Sequence, residues 1–169
     1  MVARNATIFK WTLYAAAALL CFVAQGLLER VTIWGVIPFL YPMVAAIPAT
    51  YEGSVPGTAF ALAVGIAADL LLPAPLPCFY TLVFPLAGLC ATLISQSVLR
   101  SGSLCSLAGT AVAFLLTGGF HCLLLWVERR SAWSAGGYLL LRELLVSLPL
   151  ALPVNALFRA VSRRVHLDD

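Results

Sequence analysis

Charge is scarce in this chain. Lysine, arginine, aspartate and glutamate together make up 10% of its 169 residues, against about a quarter in soluble domains. With 62% hydrophobic residues and a mean hydropathy of +1.00, too little polar surface remains to cover the apolar part in water, which excludes a soluble globular domain. The formal net charge of +3, with no basic block carrying interleaved aromatics, excludes nucleic acid as a partner. The basic residues are better explained by membrane orientation.

Chemistry-bearing patterns are missing too. The five cysteines, Cys21, Cys78, Cys90, Cys105 and Cys122, form no C-x-x-C pair and mostly fall in apolar runs. They read as small hydrophobes and not as a disulfide framework or a zinc site. Of the two histidines, His166 lies in the tail, and His121 adjoins Cys122 in an apolar run. Neighbours on a helix do not face each other, so His121 is expected to be a buried, hydrogen-bonded residue. Ser101 and Ser103 flank a glycine without the strand and helix of a nucleophile elbow. There is no phosphate loop, EF-hand or dinucleotide motif. The expectation is a protein without catalytic residues, cofactor or metal.

Long apolar runs are what the chain does have. Six are legible, at about 11–28, 31–49, 56–72, 78–99, 104–127 and 138–158, and each approaches the roughly 20 residues that cross a bilayer. The fold expected is an all-α polytopic transmembrane bundle of about six helices, filling residues 1–169 as a single domain. The first run is longer than a signal-peptide core and lacks a convincing cleavage site after it, so it reads as a retained anchor. The second is interrupted by Pro38, Pro42 and Pro48 and should be kinked or broken.

With the N-terminus inside, one side of the membrane carries Arg4, Lys10, Arg100, Arg159, Arg163 and Arg164, and the other carries Arg30, Arg129 and Arg130. That asymmetry places both termini in the cytoplasm. Trp126, Trp133 and Tyr138 bracket the loop between the fifth and sixth runs, and the segment "SAWSAGGYLL" is a candidate to lie along the interface.

Gly53, Gly57, Ala61, Gly65 and Asp69 recur at every fourth position. Each step of four turns a helix by about 400°, so these residues form one narrow ridge. Small residues at that spacing let a second helix approach closely, from within the bundle or from a partner protein. Asp69 ends the ridge beside "PAPLP" (Pro73 to Pro77), and Arg142 in the sixth run descends from the same face. An Asp69–Arg142 pair is therefore expected, or else capping of local backbone donors by Asp69. A proton relay through Asp69 is the third possibility.

The stretch Glu52 to Ile94, "EGSVPGTAFALAVGIAADLLLPAPLPCFYTLVFPLAGLCATLI", resembles the central block of the rod-shape-determining MreD family. The shared pattern comprises the acid-glycine pair Glu52-Gly53, the spaced Gly57 and Gly65, the Asp69 end, the turn Pro73 to Pro77, and Leu86-Ala87-Gly88. Pro77 departs from it, standing where many members have glycine. The proline-bearing second run and the basic tail are similar as well.

The resemblance implies a non-enzymatic membrane scaffold of the bacterial elongation (rod) complex, in the cytoplasmic membrane. Its partners would be an MreC-like protein, a RodA-like polymerase with its transpeptidase, an MreB-like filament, and membrane lipid. The family is itself similar in hydropathy to the substrate-binding subunits of energy-coupling-factor transporters, so such a subunit is the alternative. Against the alternative, Ala15 to Ala18 are consecutive here, where those subunits space alanines by four to dock their coupling partner.

Overall fold

The computed structural model describes residues 2–73, 76–97, 102–128 and 133–167. Among them the chain forms helices α1 (Val2–Leu28), α2 (Tyr41–Glu52), α3 (Ser54–Leu71), α4 (Phe79–Ser97), α5 (Ser103–Val127), α6 (Trp133–Ser147) and α7 (Ala151–Leu167). A single 3-10 turn, Leu148–Leu150, joins α6 to α7. The fold is an all-α bundle, and five of its helical stretches are long and apolar enough to cross a membrane: Thr7–Leu28, Ser54–Leu71, Phe79–Ser97, Ser103–Val127 and Ala135–Arg164.

The expected sixth span, 31–49, is not one. Helix α2 has 12 residues, about 18 Å of helix against a hydrocarbon core of about 30 Å. Before it, Trp34 and Gly35 both take positive φ, 53° and 76°, in a tight turn closed by reciprocal backbone hydrogen bonds between Ile33 and Val36. Two such residues in succession are what a type I′ turn requires.

Pro38 to Leu40 then runs non-helically, its backbone held by side chains. Gln25 of α1 donates from Nε2 to the Pro38 carbonyl at 3.0 Å and accepts from the Leu40 N–H at 2.8 Å. Ser147 accepts from the Phe39 N–H at 3.0 Å. Irregular backbone is tolerated at membrane depth only where protein satisfies its polar groups, and these two side chains do so.

Helix α2 is the centre of the molecule, and every residue from Tyr41 to Thr50 is buried. Pro42 falls in its first turn, where N–H groups lack an intrahelical acceptor, while Pro48 removes a donor from its interior. The carbonyls at its end are satisfied from α4. The Thr92 hydroxyl lies 3.2 Å from the Ala49 oxygen, and the Ser95 hydroxyl donates to the Thr50 oxygen at 3.0 Å.

Helices α1 and α7 pack antiparallel. Tyr14 stacks on Phe158 with centroids 6.0 Å apart, while Leu28 and Leu150 line one groove at the far ends. The start of α1 and the end of α7 therefore share one end of the bundle, called here the terminal end; the α3–α4 turn lies at the distal end.

The last expected run, 138–158, lies within the stretch Ala135–Arg164, which is long and apolar enough to cross, with α6 ending at the fully buried Ser147 and the 3-10 turn Leu148–Leu150 linking it to α7. Of the segment "SAWSAGGYLL", residues 131 and 132 lie outside the described residues, and from Gly136 on it packs against α5, since a Cβ on Gly136 would stand 2.9 Å from Cys122 Sγ. Arg100, Arg129 and Arg130, which enter the charge asymmetry, lie outside the described residues, as do the side chains of Arg4, Trp133 and His166.

Candidate functional site

Two polar clusters occupy opposite ends of an otherwise apolar bundle. At the distal end Asp69, in the last turn of α3, reaches across to the first turn of α4. One carboxylate oxygen accepts from the Tyr80 N–H at 3.0 Å, and the other accepts from the Thr81 N–H at 2.8 Å and the Thr81 hydroxyl at 2.6 Å. The first N–H groups of any helix lack an intrahelical acceptor, and the positive end of the helix dipole favours an anion there. Asp69 is thus an N-terminal cap supplied from the preceding helix.

The expected pair with Arg142 does not form. Among the described residues the ion pair found is Lys10–Glu52, and the Arg142 guanidinium instead lies 5.3 Å from the centre of the Tyr138 ring. Arginine reaches that ring from the next turn of its own helix, and the backbone donors of α4 already occupy both Asp69 oxygens.

The small-residue ridge is used inside the bundle. A Cβ on Gly57 would stand 2.6 Å from the Ala49 Cα of α2, and one on Gly65 would stand 2.6 Å from the Tyr80 carbonyl oxygen of α4. Ala61 is fully buried and lies 3.0 Å from where a Cβ on Gly88 would be. Gly53 serves differently, because its φ of 86° makes the one-residue turn between α2 and α3, a conformation glycine adopts without strain. The ridge therefore lets α3 seat against α2 and α4 together, and its narrow face is not left open for another protein.

The terminal-end cluster has no counterpart among the sequence expectations. The Lys10 ammonium pairs with Glu52, whose side chain is 4% exposed, and Tyr14 donates to Glu52 Oε1 at 2.7 Å. Beside it Tyr51 and Ser106 both donate to Asn155 Oδ1, at 2.6 and 2.7 Å. These contacts tie α1 to the end of α2, and α2 and α5 to α7. The partners of Glu52 lie about forty residues upstream, on another helix, where no local spacing could reveal them; the signal available was that Lys10 is the chain's one lysine.

His121 is exposed, its ring edge-on to Phe79 at 6.3 Å, and not buried as expected. Cys78 also departs from the apolar-run reading. It is exposed in the α3–α4 connection with φ of 60°. Cys21 and Cys105 are buried. Among the described residues no group of three or more His, Cys, Asp or Glu side chains is placed to hold a metal ion. A cavity of about 640 Å³ opens at the distal end, lined by Gln25, Glu29, Phe39, Leu72, Leu139 and Glu143 among others.

These features define a class: a multi-pass, all-helical membrane protein whose buried polar groups cap and clamp its helices. No protein-family model, curated protein or solved structure matches the chain.

Proposed function

We propose that the chain is a non-enzymatic scaffold of the bacterial rod complex, in the cytoplasmic membrane with both termini cytoplasmic. The observation supporting this reading is how the positions of the resemblance are used. Glu52 anchors α1 and Gly53 turns the chain, while Gly57 and Gly65 seat α3 and Asp69 caps α4. Each is a support within one helical block, as a connector requires. Helix α5, with Leu104, Leu115, Leu123 and Trp126 exposed, offers a lateral apolar surface to partner helices or lipid.

The test is affinity purification from native membranes in gentle detergent, with mass spectrometry of the proteins retained. The expected companions are MreC-like, RodA-like and MreB-like proteins and the transpeptidase that works with the polymerase. The distal cavity favours a second reading, a substrate-binding subunit of an energy-coupling-factor transporter, because a 640 Å³ space beside Gln25, Glu29 and Glu143 suits a small ligand. Recovery of a membrane coupling subunit with ATPases would select that reading.

A further inference from the structure

A second cavity, of about 380 Å³, lies at the terminal end between the start of α5 and the outer face of α7. Its lining includes Ser103, Asn155, Ala156, Arg159, Ala160 and Arg163. Asn155, Arg159 and Arg163 follow one another at steps of four on α7, hence on one face, and the alanines between them leave room beside that face. No carboxylate is among the lining residues, and Glu52 nearby is occupied by Lys10 and Tyr14.

The opposite wall is the first turn of a 25-residue helix, capped by Gly102 without a side-chain hydrogen bond. Its leading N–H groups and dipole favour an anion. Asn155 adds an independent signal. It is 4% exposed, and its oxygen is taken by both Tyr51 and Ser106. Its Nδ2 amide is left facing the cavity with no acceptor among the described residues. That amide lines the cavity and is not sealed from it, so it can donate to a ligand there.

The depth is also specific. The stretch Ala135–Arg164 has 30 residues, where about 20 suffice to cross the hydrocarbon core. Arg159 and Arg163 lie at the end of that stretch, where a spanning segment would bring them to headgroup level.

We infer that Arg159, Arg163, the Asn155 amide and the start of α5 form a binding site for a phosphate-bearing anion at the membrane surface. The site goes beyond the scaffold reading and does not depend on it. Two guanidiniums and two kinds of N–H donor converge where the phosphodiester of an anionic lipid would lie, and basic pockets between helices recognise such headgroups.

The test is native mass spectrometry of the full chain in detergent, titrated with phosphatidylglycerol, with phosphatidylcholine and with inorganic phosphate. Phosphatidylglycerol should be retained in preference to phosphatidylcholine. R159Q/R163Q should weaken it by roughly thirtyfold, as about 1 kcal/mol per arginine implies. N155D keeps the oxygen that Tyr51 and Ser106 need and replaces the amide donor, so it should lose binding while melting near wild type. R164Q, whose arginine does not line the cavity, should bind as wild type does. Displacement of the lipid by millimolar inorganic phosphate would identify the ligand as a free phosphate anion, and resistance to it would identify the lipid headgroup. Equal retention of both lipids, wild-type binding by R159Q/R163Q and N155D, or an equal loss in R164Q would each overturn the site.

Discussion

Asp69 and Glu52 are two acids at opposite ends of the same helix pair, and the bundle satisfies them in different ways. Asp69 takes backbone donors 11 and 12 residues ahead, across one turn. Glu52 takes a lysine and a tyrosine from α1, the tyrosine 38 residues behind. The difference is between neutralising a charge with aligned peptide dipoles and neutralising it with another charge. A dipole cap costs no second desolvated ion, whereas a buried pair must desolvate two. The first device holds two consecutive helices together; the second fastens α1, whose Leu19, Leu20, Val23 and Leu27 are exposed, to the buried centre.

The largest effect should come from the surface that brings the Asp69 cap into place. Gly65→Leu would force a side chain into the Tyr80 carbonyl and the Thr81 backbone, atoms that cannot rotate away as a side-chain tip does. Overpacking of this kind costs about 1–3 kcal/mol where neighbours can shift, and here they shift only by moving α4 and Asp69 apart. The expected outcome is loss of the monodisperse peak on size exclusion. A wild-type yield and melting temperature would show that the α3–α4 seam is looser than these distances imply.

The charge pair should be next. Lys10→Met leaves Glu52 buried without its counter-ion, and removing one partner of a buried pair costs about 3 kcal/mol. The double variant Lys10→Met, Glu52→Gln should regain most of that loss, since Tyr14 can still donate to the amide oxygen. Thermal unfolding in detergent reads both. Additive losses would mean that Lys10 acts through packing and not through charge.

The cap should be smaller. Asp69→Asn keeps an acceptor for one backbone N–H but loses the charge and part of the Thr81 contact, for about 1 kcal/mol, in the usual range for helix caps. Because Arg142 stacks on Tyr138, Asp69→Leu and Arg142→Leu should lower stability additively, with a coupling energy near zero. A coupling of about 1 kcal/mol or more would restore the ion pair that the geometry denies.

What the sequence made legible follows the same division. The helical class, five of the six expected apolar runs as stretches long enough to cross a membrane and the ridge from Gly53 to Asp69 all depend on spacing within about twenty residues, which composition and periodicity report directly. Capping by Asp69 was readable as one alternative because its donors lie just across the proline turn. The 31–49 segment misled because apolar length alone cannot separate a spanning helix from a short one buried on all sides; of the side chains that hold its irregular lead-in, Ser147 comes from 108 residues away, and Gln25, 13 and 15 residues back, belongs to no periodic pattern that marks it. Lys10–Glu52 and the Asn155 cluster were hidden for the same reason.

The smallest effect isolates what a hydrogen-bond partner contributes. Thr92 and Thr110 are both essentially inaccessible, at 1% and 0% exposure. The Thr92 hydroxyl lies between the Gly88 and Ala49 oxygens, at 2.9 and 3.2 Å, and so links α4 to the end of α2. The Thr110 hydroxyl has no hydrogen-bond partner among the described residues. Thr92→Val should therefore cost about 1 kcal/mol, because it strips a donor from a carbonyl at a helix end. Thr110→Val, of nearly the same shape, should leave the melting temperature unchanged or raise it by an amount worth up to about 1 kcal/mol, because it removes a buried polar group that gains nothing from folding. A stability loss in Thr110→Val equal to that in Thr92→Val would reveal an acceptor at Thr110, such as a water held between α5 and its neighbours, and would make the interior of the bundle wetter than its apolar lining implies.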